Sequence, residues 1–493
     1  MKKNSTFWRE LQSNLCLPTQ AFIDGAYVGA SDGATYSCIN PANGKVMAAV
    51  AACTTADVDL AVQTAKRTYE QGEWSRLAPS ARKKVMKNLS ALILENCEEL
   101  ALLESMNVGK PVQDAMEIDI PGAAACFEWY AEAIDKIYGE VAPTDANNIA
   151  TITREPIGVV AAVVPWNFPL DIAAWKLAPA LISGNSVVLK PAEQSPFTAL
   201  RLAQLAQQAG IPDGVFSVVT GAGEVVGKAL GLHMDVNCVA FTGSTEVGKL
   251  FMGYSAQSNM KPIWPETGGK SPNLIFADCD LDSAVEHAAM GIFFNQGEVC
   301  SANSRILVQS SIKQEFVTKL LAKAKSMKVG DPLDPDTQMG PLIDQNHAYN
   351  VRQHIARGVE QGANLLLDGQ GNSHDAYVHP TVFDNVDNAM AIAQEEVFGP
   401  VAAIISFTDE EEAINIANDS VYGLAASVWT LNINCAHRVA QRLRAGTVSI
   451  NTMDALDLTT PFGGYKQSGF GRDLSLHALD KYTQLKTTWI KLV

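Results

Sequence analysis

Short apolar runs alternate with helical patterns through the middle of the chain. Residues 157–164 are apolar throughout, and the alternation continues through residues 185–190, 214–219 and 237–241. Strands that are buried on both faces form such continuous runs, and strand–helix alternation is typical of a parallel sheet covered by helices on both sides. The pattern therefore predicts an α/β domain with an open parallel sheet.

A second alternation of the same kind begins further along the chain. Its apolar runs lie at residues 273–276, 306–308, 401–407 and 447–451. We therefore predict the α/β fold class with two open parallel-sheet domains and a boundary near Glu266.

The flanking segments follow other patterns. Asp24-Gly25 predicts a hairpin within residues 22–28, and the alternating stretches 139–154 and 482–493 predict a small β appendage. Helical periodicity predicts helices over residues 56–71, 79–106 and 122–137.

Composition excludes several functions. The chain has 493 residues, of which 47% are hydrophobic and 18% charged, as expected for a globular protein of two or three domains. Its formal net charge of −16 argues against nucleic acid and anionic membranes as partners. No stretch is long and apolar enough to span a bilayer.

The cysteines and histidines indicate a reduced, metal-free protein. Nine cysteines are scattered without a CxxC pair, and eight histidines lack the spacing of a metal site. The N-terminus lacks the apolar run of a signal peptide. We therefore expect a cytoplasmic protein with free thiols and no bound metal.

Two glycine-bearing segments carry the chemistry of an acyl-transfer site. Cys300 follows Asn295-Gln296-Gly297, and Glu266 precedes two glycines. Most free cysteines are small buried hydrophobes, but these polar surroundings suit an accessible thiolate held by backbone amides. Glu266 is either a general base or a helix cap or ion-pair partner. Together the two residues predict a nucleophile and a base acting on a carbonyl carbon.

Asn167 ends the most apolar strand, between Pro165 and Pro169. Its amide could donate to a developing oxyanion, and it could equally be a turn residue between strand and helix.

Turns after other predicted strands suggest a nucleotide. Gly243 and Ser244 lie where a strand passes into a helix, so a phosphate could approach the helix N-terminus there. Lys190 and Glu193 also follow a strand and could hold ribose hydroxyls, although a solvated loop pair is the simpler interpretation. A carboxylate at Glu193 would repel a 2′-phosphate, which favours NAD, with NADP possible. Glu396 and Phe398 form a further acidic and aromatic turn, or an exposed loop with a core phenylalanine.

Taken in their order along the chain, these motifs resemble the aldehyde dehydrogenase superfamily across essentially the whole chain. The resemblance implies that Cys300 attacks the aldehyde carbon, that hydride then passes to the nicotinamide, and that water hydrolyses the remaining thioester. It implies Glu266 as the base, and Asn167 with the Cys300 main-chain N–H as the oxyanion hole. Asp473 stands where many members have a longer glutamate.

The same resemblance assigns the cofactor residues and the domains. It places Lys190 and Glu193 on the adenosine ribose, Trp166 and Ser244 near the pyrophosphate, and Glu396 and Phe398 at the nicotinamide end. It implies a Rossmann-like cofactor domain, a catalytic domain, an oligomerisation ribbon, and a dimer or tetramer. The limits expected are residues 1–137 and 157–265 for NAD binding, 266–465 for catalysis, and 138–156 with 466–493 for the ribbon and tail.

The substrate is inferred from two further stretches. Residues 120–136 and 461–479 are similar to those of bacterial γ-glutamyl-γ-aminobutyraldehyde dehydrogenases, which act in polyamine (putrescine) breakdown. Betaine aldehyde or a broad range of aldehydes remains an alternative, and a thiol hydrolase or acyltransferase without redox chemistry is the alternative from another class. The predicted substrate tunnel contains three acids, Asp119, Asp454 and Asp457. One or more of these acids would attract a cationic substrate tail; alternatively, they are solvated loop acids. The predicted aromatic walls are Trp129, Phe168, Trp175 and Phe462.

Overall fold

The structure, a computed structural model, describes residues 3–372 and 374–492. Two seven-stranded sheets dominate it. The first has five parallel strands and an antiparallel pair at one edge, in the spatial order Ile263–Glu266, Cys238–Thr242, Val159–Val163, Ser186–Lys190, Phe216–Val218, Ala21–Ile23 and Ala26–Val28.

The second sheet is parallel except for one antiparallel strand at its edge. Its spatial order is Asn364–Leu367, Thr381–Asp384, Val401–Phe407, Arg305–Gln309, Pro272–Ile275, Ala425–Trp429 and Thr447–Ile450. The prediction of two open α/β domains is therefore confirmed.

Helices cover both sheets. The α-helices associated with the first sheet are Ser5–Asn14, Thr55–Gln71, Pro79–Glu95, Cys97–Val108, Val112–Asp114, Ile120–Ala133, Pro169–Ile182, Phe197–Ala209, Lys228–Leu232 and Thr245–Ala256. The α-helices associated with the second sheet are Leu281–Phe293, Lys313–Ser326, Gln345–Glu360, Ala391–Gln394, Glu410–Asn418 and Ile433–Arg442. Short π- or 3₁₀-helical turns are Ala115–Asp119, Ile134–Lys136, Gly223–Gly227, Phe294–Gly297, Lys466–Ser468 and Leu476–Lys481.

Two smaller antiparallel sheets complete the fold. One is a three-stranded ribbon formed by Glu140–Ala142, Asn148–Pro156 and Thr483–Lys491. The other is a hairpin of Thr35–Asn40 and Lys45–Ala51, which was not predicted. The domain limits remain predictions. Within the proposed tail, Ala478, Leu479 and Tyr482 pack into a core cluster of the first domain.

Alternation along one strand shows why both sheet faces are covered. Val160 and Ala162 contact the core cluster that contains Leu177, whereas Val159 and Ala161 belong to the cluster on the other face. All four side chains are buried. A strand with two apolar faces requires a helical layer on each side.

The predicted helix over residues 79–106 is divided into two. Asn96 interrupts it with φ −104° and ψ 21°, and its side-chain amide donates to the Leu92 carbonyl at 2.7 Å. An asparagine that competes for backbone acceptors in this way ends a helix. Within the described part of the chain, no helix has the length and apolarity needed to cross a bilayer.

Candidate active site

The loop that carries Cys300 makes a sharp turn. It joins the helix Leu281–Phe293 to the strand Arg305–Gln309, and three successive residues, Asn295, Gln296 and Gly297, have φ of 46°, 59° and 74°. A Cβ on Gly297 would lie 2.3 Å from the Gly399 carbonyl carbon, so only glycine fits there. The turn thus brings Cys300 towards the first domain.

Cys300 lies where two cavities meet. The cleft cavity, of about 690 Å³, is lined by Cys300 and by turns at the carboxyl ends of the first sheet. The aldehyde cavity, of about 1120 Å³, is lined by Cys300, Glu266 and a set of aromatic and aliphatic side chains. Cys300 is a free, partly exposed cysteine, so molecules in either cavity can approach it.

Glu266 is the last residue of the edge strand Ile263–Glu266, and its carboxyl group is buried. Oε1 has no hydrogen-bond partner among the described residues. Burial, and next the charge of Asp473, raise its pKa to about 8, although Lys176 and Lys481 oppose the rise. A base with a pKa near neutral pH is suited to taking a proton and giving it up again.

The Cys300 thiol is neutral in these surroundings. Burial raises its pKa well above the usual range, and the carboxylates Glu266, Asp454 and Glu396 raise it further. The Ser301 backbone N–H lowers it only in part. Burial and the anionic neighbours thus oppose the predicted thiolate and the backbone amide favours it, so a base that takes the proton would make the thiol nucleophilic.

Asn167 is buried beside the Cys300 loop. Its Nδ2 donates to the Glu298 carbonyl at 2.8 Å, which leaves the second N–H of the amide available. Asn295 Nδ2 donates to the Asn167 carbonyl at 3.1 Å and so ties the two loops together. The Cys300 main-chain N–H has no acceptor among the described residues. Two donors are thus available near the sulfur.

The cleft cavity gathers five of the seven predicted cofactor residues: Trp166, Gly243, Ser244, Glu396 and Phe398. Ser244 caps the helix Thr245–Ala256, accepting from the Val247 N–H at 3.2 Å. Glu396 accepts from the Gly269 N–H at 3.0 Å, and burial raises its pKa to about 7. A Cβ on Gly268 would lie 2.0 Å from Glu396 Oε2, so this glycine makes room for the carboxylate.

Lys190 and Glu193 do not line the cleft cavity but lie one strand away. Lys190 ends the strand Ser186–Lys190 and pairs in register with Val163. Its buried Nζ lies 3.4 Å from Glu193 Oε2, and Glu193 Oε1 accepts from the Gly223 N–H at 2.6 Å. The pair therefore occupies the same carboxyl edge of the first sheet.

The aldehyde cavity brings together five of the seven predicted substrate residues: Asp119, Phe168, Trp175, Asp454 and Phe462. Trp175 and Phe462 stack edge to face with ring centroids 5.5 Å apart. Trp129 lies outside this cavity and packs on Tyr130, with ring centroids 4.8 Å apart. Asp457 also lies outside it, is exposed, and accepts from the Thr459 N–H at 2.8 Å.

Two of the predicted acids in this cavity already have partners. Asp119 is buried and lies 2.5 Å from Lys110 Nζ. Asp454 is also enclosed. Burial raises its pKa, and a side-chain hydrogen bond with Ser301 opposes the rise. The charge of Asp119 is therefore paired, whereas Asp454 has the Ser301 hydrogen bond and no ion-pair partner among the described residues.

Sequence reasoning missed Asp171 and the two lysine partners of Asp473. Asp171 lines the aldehyde cavity; it precedes Trp175 by four residues on one helix, and this spacing places both on the same helix face. The buried Asp473 accepts hydrogen bonds from both Lys176 and Lys481. Lys176 lies 297 residues before Asp473, so no local pattern connects the two.

No group of three or more metal-binding side chains occurs in the part of the chain that the structure covers. The site is therefore built from a thiol, a carboxyl group with a raised pKa and amide donors. Such an arrangement can form and hydrolyse a thioester.

Comparison with known proteins identifies relatives along the whole chain. The sequence profile of the Aldehyde dehydrogenase family matches residues 27–488. The NADP/NAD-dependent aldehyde dehydrogenase PuuC of Escherichia coli (strain K12) is 49% identical over 487 residues, covering 99% of this chain and 98% of the relative. A crystal structure of an indole-3-acetaldehyde dehydrogenase complexed with NAD⁺ has 53% identity, full coverage of both chains and a TM-score of 0.98. The γ-glutamyl-γ-aminobutyraldehyde dehydrogenase of Burkholderia cenocepacia J2315 has 53% identity, full coverage of both chains and a TM-score of 0.97.

Proposed function

This chain belongs to the aldehyde dehydrogenase family, and from that premise we propose that it oxidises an aminoaldehyde to the carboxylic acid, with NAD as the hydride acceptor. The observation that carries the proposal is the position of Cys300 in the lining of both cavities. A substrate carbon bonded to the sulfur can then face a cofactor on one side and Glu266 on the other.

The residues of the cleft cavity fit a dinucleotide. Ser244 and the N-terminus of the helix Thr245–Ala256 suit a pyrophosphate, because the helix end supplies N–H donors and a positive dipole. Glu396 suits ribose hydroxyls, and Lys190 with Glu193 suits the second ribose at the same sheet edge. When bound there, NAD supplies the site that accepts a hydride. Glu193 disfavours a 2′-phosphate, which supports NAD over NADP.

The protein's own groups carry the remaining steps. Glu266 takes the Cys300 proton, directly or through a water, and the sulfur attacks the carbonyl carbon. The Asn167 amide and the Cys300 main-chain N–H stabilise the negative oxygen. After loss of the hydride, Glu266 releases the first proton to solvent and then deprotonates a water, which attacks the thioester; the C–S bond breaks, the carboxylic acid leaves and Glu266 returns the water's proton to the sulfur.

An acidic entrance supports a cationic substrate. A vestibule cavity of about 1180 Å³ shares Ile118, Met290 and Phe294 with the aldehyde cavity. Four carboxylates line this vestibule against one lysine, Lys323: Asp114, Glu117, Glu286 and Asp336. Such an excess raises the local concentration of cations. On this ground we infer an ω-amino aldehyde of polyamine breakdown as the substrate; a γ-glutamylamino aldehyde, a zwitterion without net charge, is supported instead by the similarity to the γ-glutamyl-γ-aminobutyraldehyde dehydrogenase of Burkholderia cenocepacia J2315.

An aromatic aldehyde is the second candidate. Phe168, Trp175, Phe294 and Phe462 line the aldehyde cavity, and flat rings pack well against such walls. One structural relative is named as an indole-3-acetaldehyde dehydrogenase. Betaine aldehyde is a further cationic alternative.

A homo-oligomer and a cytoplasmic location are parts of the proposal. The three-stranded ribbon exposes Val141, Leu485 and Trp489, and Tyr138 is exposed just before its first strand, all with relative exposures of 60% or more. Apolar side chains grouped on one exposed sheet suit contact with a second copy of the chain. The free state of the cysteines suits a reducing compartment.

An NAD-linked assay over an aldehyde panel tests this function. The panel comprises 4-aminobutyraldehyde, its γ-glutamyl derivative, betaine aldehyde, indole-3-acetaldehyde and butanal, with Cys300→Ala as the inactive control. We expect the highest kcat/KM for 4-aminobutyraldehyde or its γ-glutamyl derivative. If butanal or indole-3-acetaldehyde exceeds every nitrogen-bearing cationic substrate, the aminoaldehyde assignment fails.

A further inference from the structure

A cluster of three acids and one base lies beside the aldehyde cavity. Its acids are Glu104, Asp119 and Asp171, and Lys110 is the only described cation that acts on them. Lys110 Nζ lies 2.5 Å from Asp119 Oδ2, and both side chains are fully buried. One ammonium group cannot neutralise three carboxylates, so at least one of these acids is either protonated or lacks a counter-ion.

Glu104 is fully buried, and burial, followed by the charge of Asp119, raises its pKa to about 8, so its surroundings favour the protonated form. Asp119 is paired with Lys110. Asp171 has no ion-pair partner among the described residues; burial, and next the charge of Asp119, raise its pKa to about 7, while the charge of Lys110 and a hydrogen bond with the Trp175 side chain oppose the rise.

Asp171 belongs to the first turn of the helix Pro169–Ile182 and lines the aldehyde cavity with Cys300 and Glu266. Its Oδ1 is shielded from water and has no hydrogen-bond partner among the described residues. A buried acceptor without a donor is costly, so such a group indicates that a ligand completes it.

Gly122 makes the space beside this carboxylate. A Cβ built on Gly122 would lie 3.1 Å from Asp171 Oδ1, closer than an ordinary contact. Gly122 has no need of a positive φ, since it lies in the first turn of the helix Ile120–Ala133. A side chain at position 122 would therefore crowd Asp171 Oδ1, and glycine avoids this contact.

On the basis of the proposed function, we propose that Asp171 is the specificity-determining residue that binds the terminal ammonium of a short ω-aminoaldehyde. A primary ammonium brings both the missing positive charge and an N–H donor for Oδ1. A trimethylammonium group brings the charge alone, so this site selects primary amines over betaine aldehyde. Asp119, Asp454 and Asp457, which the sequence suggested for this task, are paired, enclosed or outside the cavity.

The test compares a charged substrate with its neutral isostere. The measured quantity is the ratio of kcat/KM for 3-aminopropionaldehyde to kcat/KM for butanal, which has a methyl in place of the ammonium. We expect the wild type to favour the amine, and Asp171→Asn to lower the ratio by about tenfold or more, chiefly through KM. Asp59→Asn is the matched control, since Asp59 lies on the helix Thr55–Gln71, outside both cavities, and its side chain is 63% exposed.

A second variant covers the case in which Asp171→Asn fails to fold. Gly122→Ala adds one methyl group within a helix, which favours folding, and crowds Oδ1. We expect it to lower the same ratio while circular dichroism and the melting temperature stay at wild-type values. A binding readout without turnover comes from calorimetry in the Cys300→Ala background, where adding Asp171→Asn should weaken binding of 3-aminopropionaldehyde by about tenfold.

The outcomes separate this inference from the function on which it rests. Suppose that the wild type favours the amine but that Asp171→Asn and Gly122→Ala fold and keep the full ratio. The role of Asp171 is then overturned, and the aminoaldehyde function stands. A wild type that oxidises butanal as well as the amine overturns both. Equal kcat/KM for betaine aldehyde and 3-aminopropionaldehyde contradicts selection by an N–H donor.

Discussion

Glu266 and Cys300 line one cavity although they come from different sheets. Glu266 ends the last strand of the first sheet, and Cys300 lies in the loop before Arg305–Gln309 in the second. The charge of Glu266 raises the pKa of the Cys300 thiol. Because the thiol needs a base and the pKa of this base is near 8, the rate of aldehyde oxidation depends on pH.

The rate of aldehyde oxidation should rise with pH through about 8. Burial first, and Asp473 second, raise the pKa of Glu266 to about 8, and only its ionised form can accept a proton. Below that pH the carboxyl group is protonated and hydrolysis of the thioester slows. A pH profile of kcat measures this limb, and Glu266→Gln should remove it together with most of the activity. A profile that is flat between pH 6 and pH 9 in the wild type would speak against Glu266 as the base.

Asp473→Asn should destabilise the protein and move the pH limb downwards. The substitution leaves the buried Lys176 and Lys481 without their shared carboxylate, a loss typically worth about 3–5 kcal/mol. It also removes an anion that raises the pKa of Glu266, so the midpoint of the kcat profile shifts to lower pH.

Thermal unfolding and the pH profile measure these two effects of Asp473→Asn. Asp480→Asn is the matched control, because Asp480 is 59% exposed and pairs with Arg154 at the surface, where an ion pair is worth about 1 kcal/mol or less. A shift of the midpoint to higher pH in Asp473→Asn would contradict the electrostatic reasoning.

Asn167→Ala should lower kcat by about 10²–10³-fold, since a donor to a developing oxyanion is worth about 3 kcal/mol. The second N–H of the amide is available, because the first donates to the Glu298 carbonyl. Steady-state kinetics give kcat, and a fluorescence titration with NAD checks that the cofactor still binds. A variant that keeps kcat within about threefold of the wild type would leave Asn167 as a turn residue only.

Added salt should lower kcat/KM for the cationic substrate and leave kcat/KM for the neutral substrate unchanged. The vestibule carries four carboxylates and one lysine, and its long-range attraction is screened over about 10 Å at 0.1 M salt. We expect kcat/KM for 3-aminopropionaldehyde to fall between about 0.01 and 0.5 M sodium chloride, while that for butanal stays constant. The exposed Glu117→Gln should weaken the salt dependence. Equal salt dependence for both aldehydes would argue against steering.

Apolar runs predicted most strands of both large sheets, because a strand buried on two faces is apolar at every position, and Asp24-Gly25 predicted the hairpin at one sheet edge. Four strands were not predicted: Ile263–Glu266, Asn364–Leu367, Thr381–Asp384 and Ala425–Trp429. Neither the pairing of the hairpin with the parallel strands, which joins distant segments, nor the break at Asn96, where one side chain competes for a backbone acceptor, was predicted. Local pattern thus determined most of the strand segments, and tertiary contacts determined their partners.

At the site, the motif loops predicted the catalytic and cofactor residues that follow strand ends, but not all the residues that line the walls of the aldehyde cavity. Trp129 follows Gly122 by seven residues on the same helix, so it shares a face with Gly122 but lies about 10 Å further along the axis, beyond the cavity. Asp119 is paired with Lys110 across a turn that the sequence does not define. Asp171 was missed because its importance depends on Gly122 and Lys110, which approach it only in the folded chain.

The central claim is that the Cys300 sulfur forms a thioester with the substrate and that Glu266 is needed to hydrolyse it. Glu266→Gln, mixed with NAD and 3-aminopropionaldehyde and quenched in acid, tests this most directly. Because this variant also lacks the base that takes the Cys300 proton, we expect a slowed first turnover that stops at one NADH per chain, and a peptide containing Cys300 that carries the mass of the acyl group. Cys300→Ala should give neither. An acyl group on any other residue, or a full NADH burst from Cys300→Ala, would contradict the account.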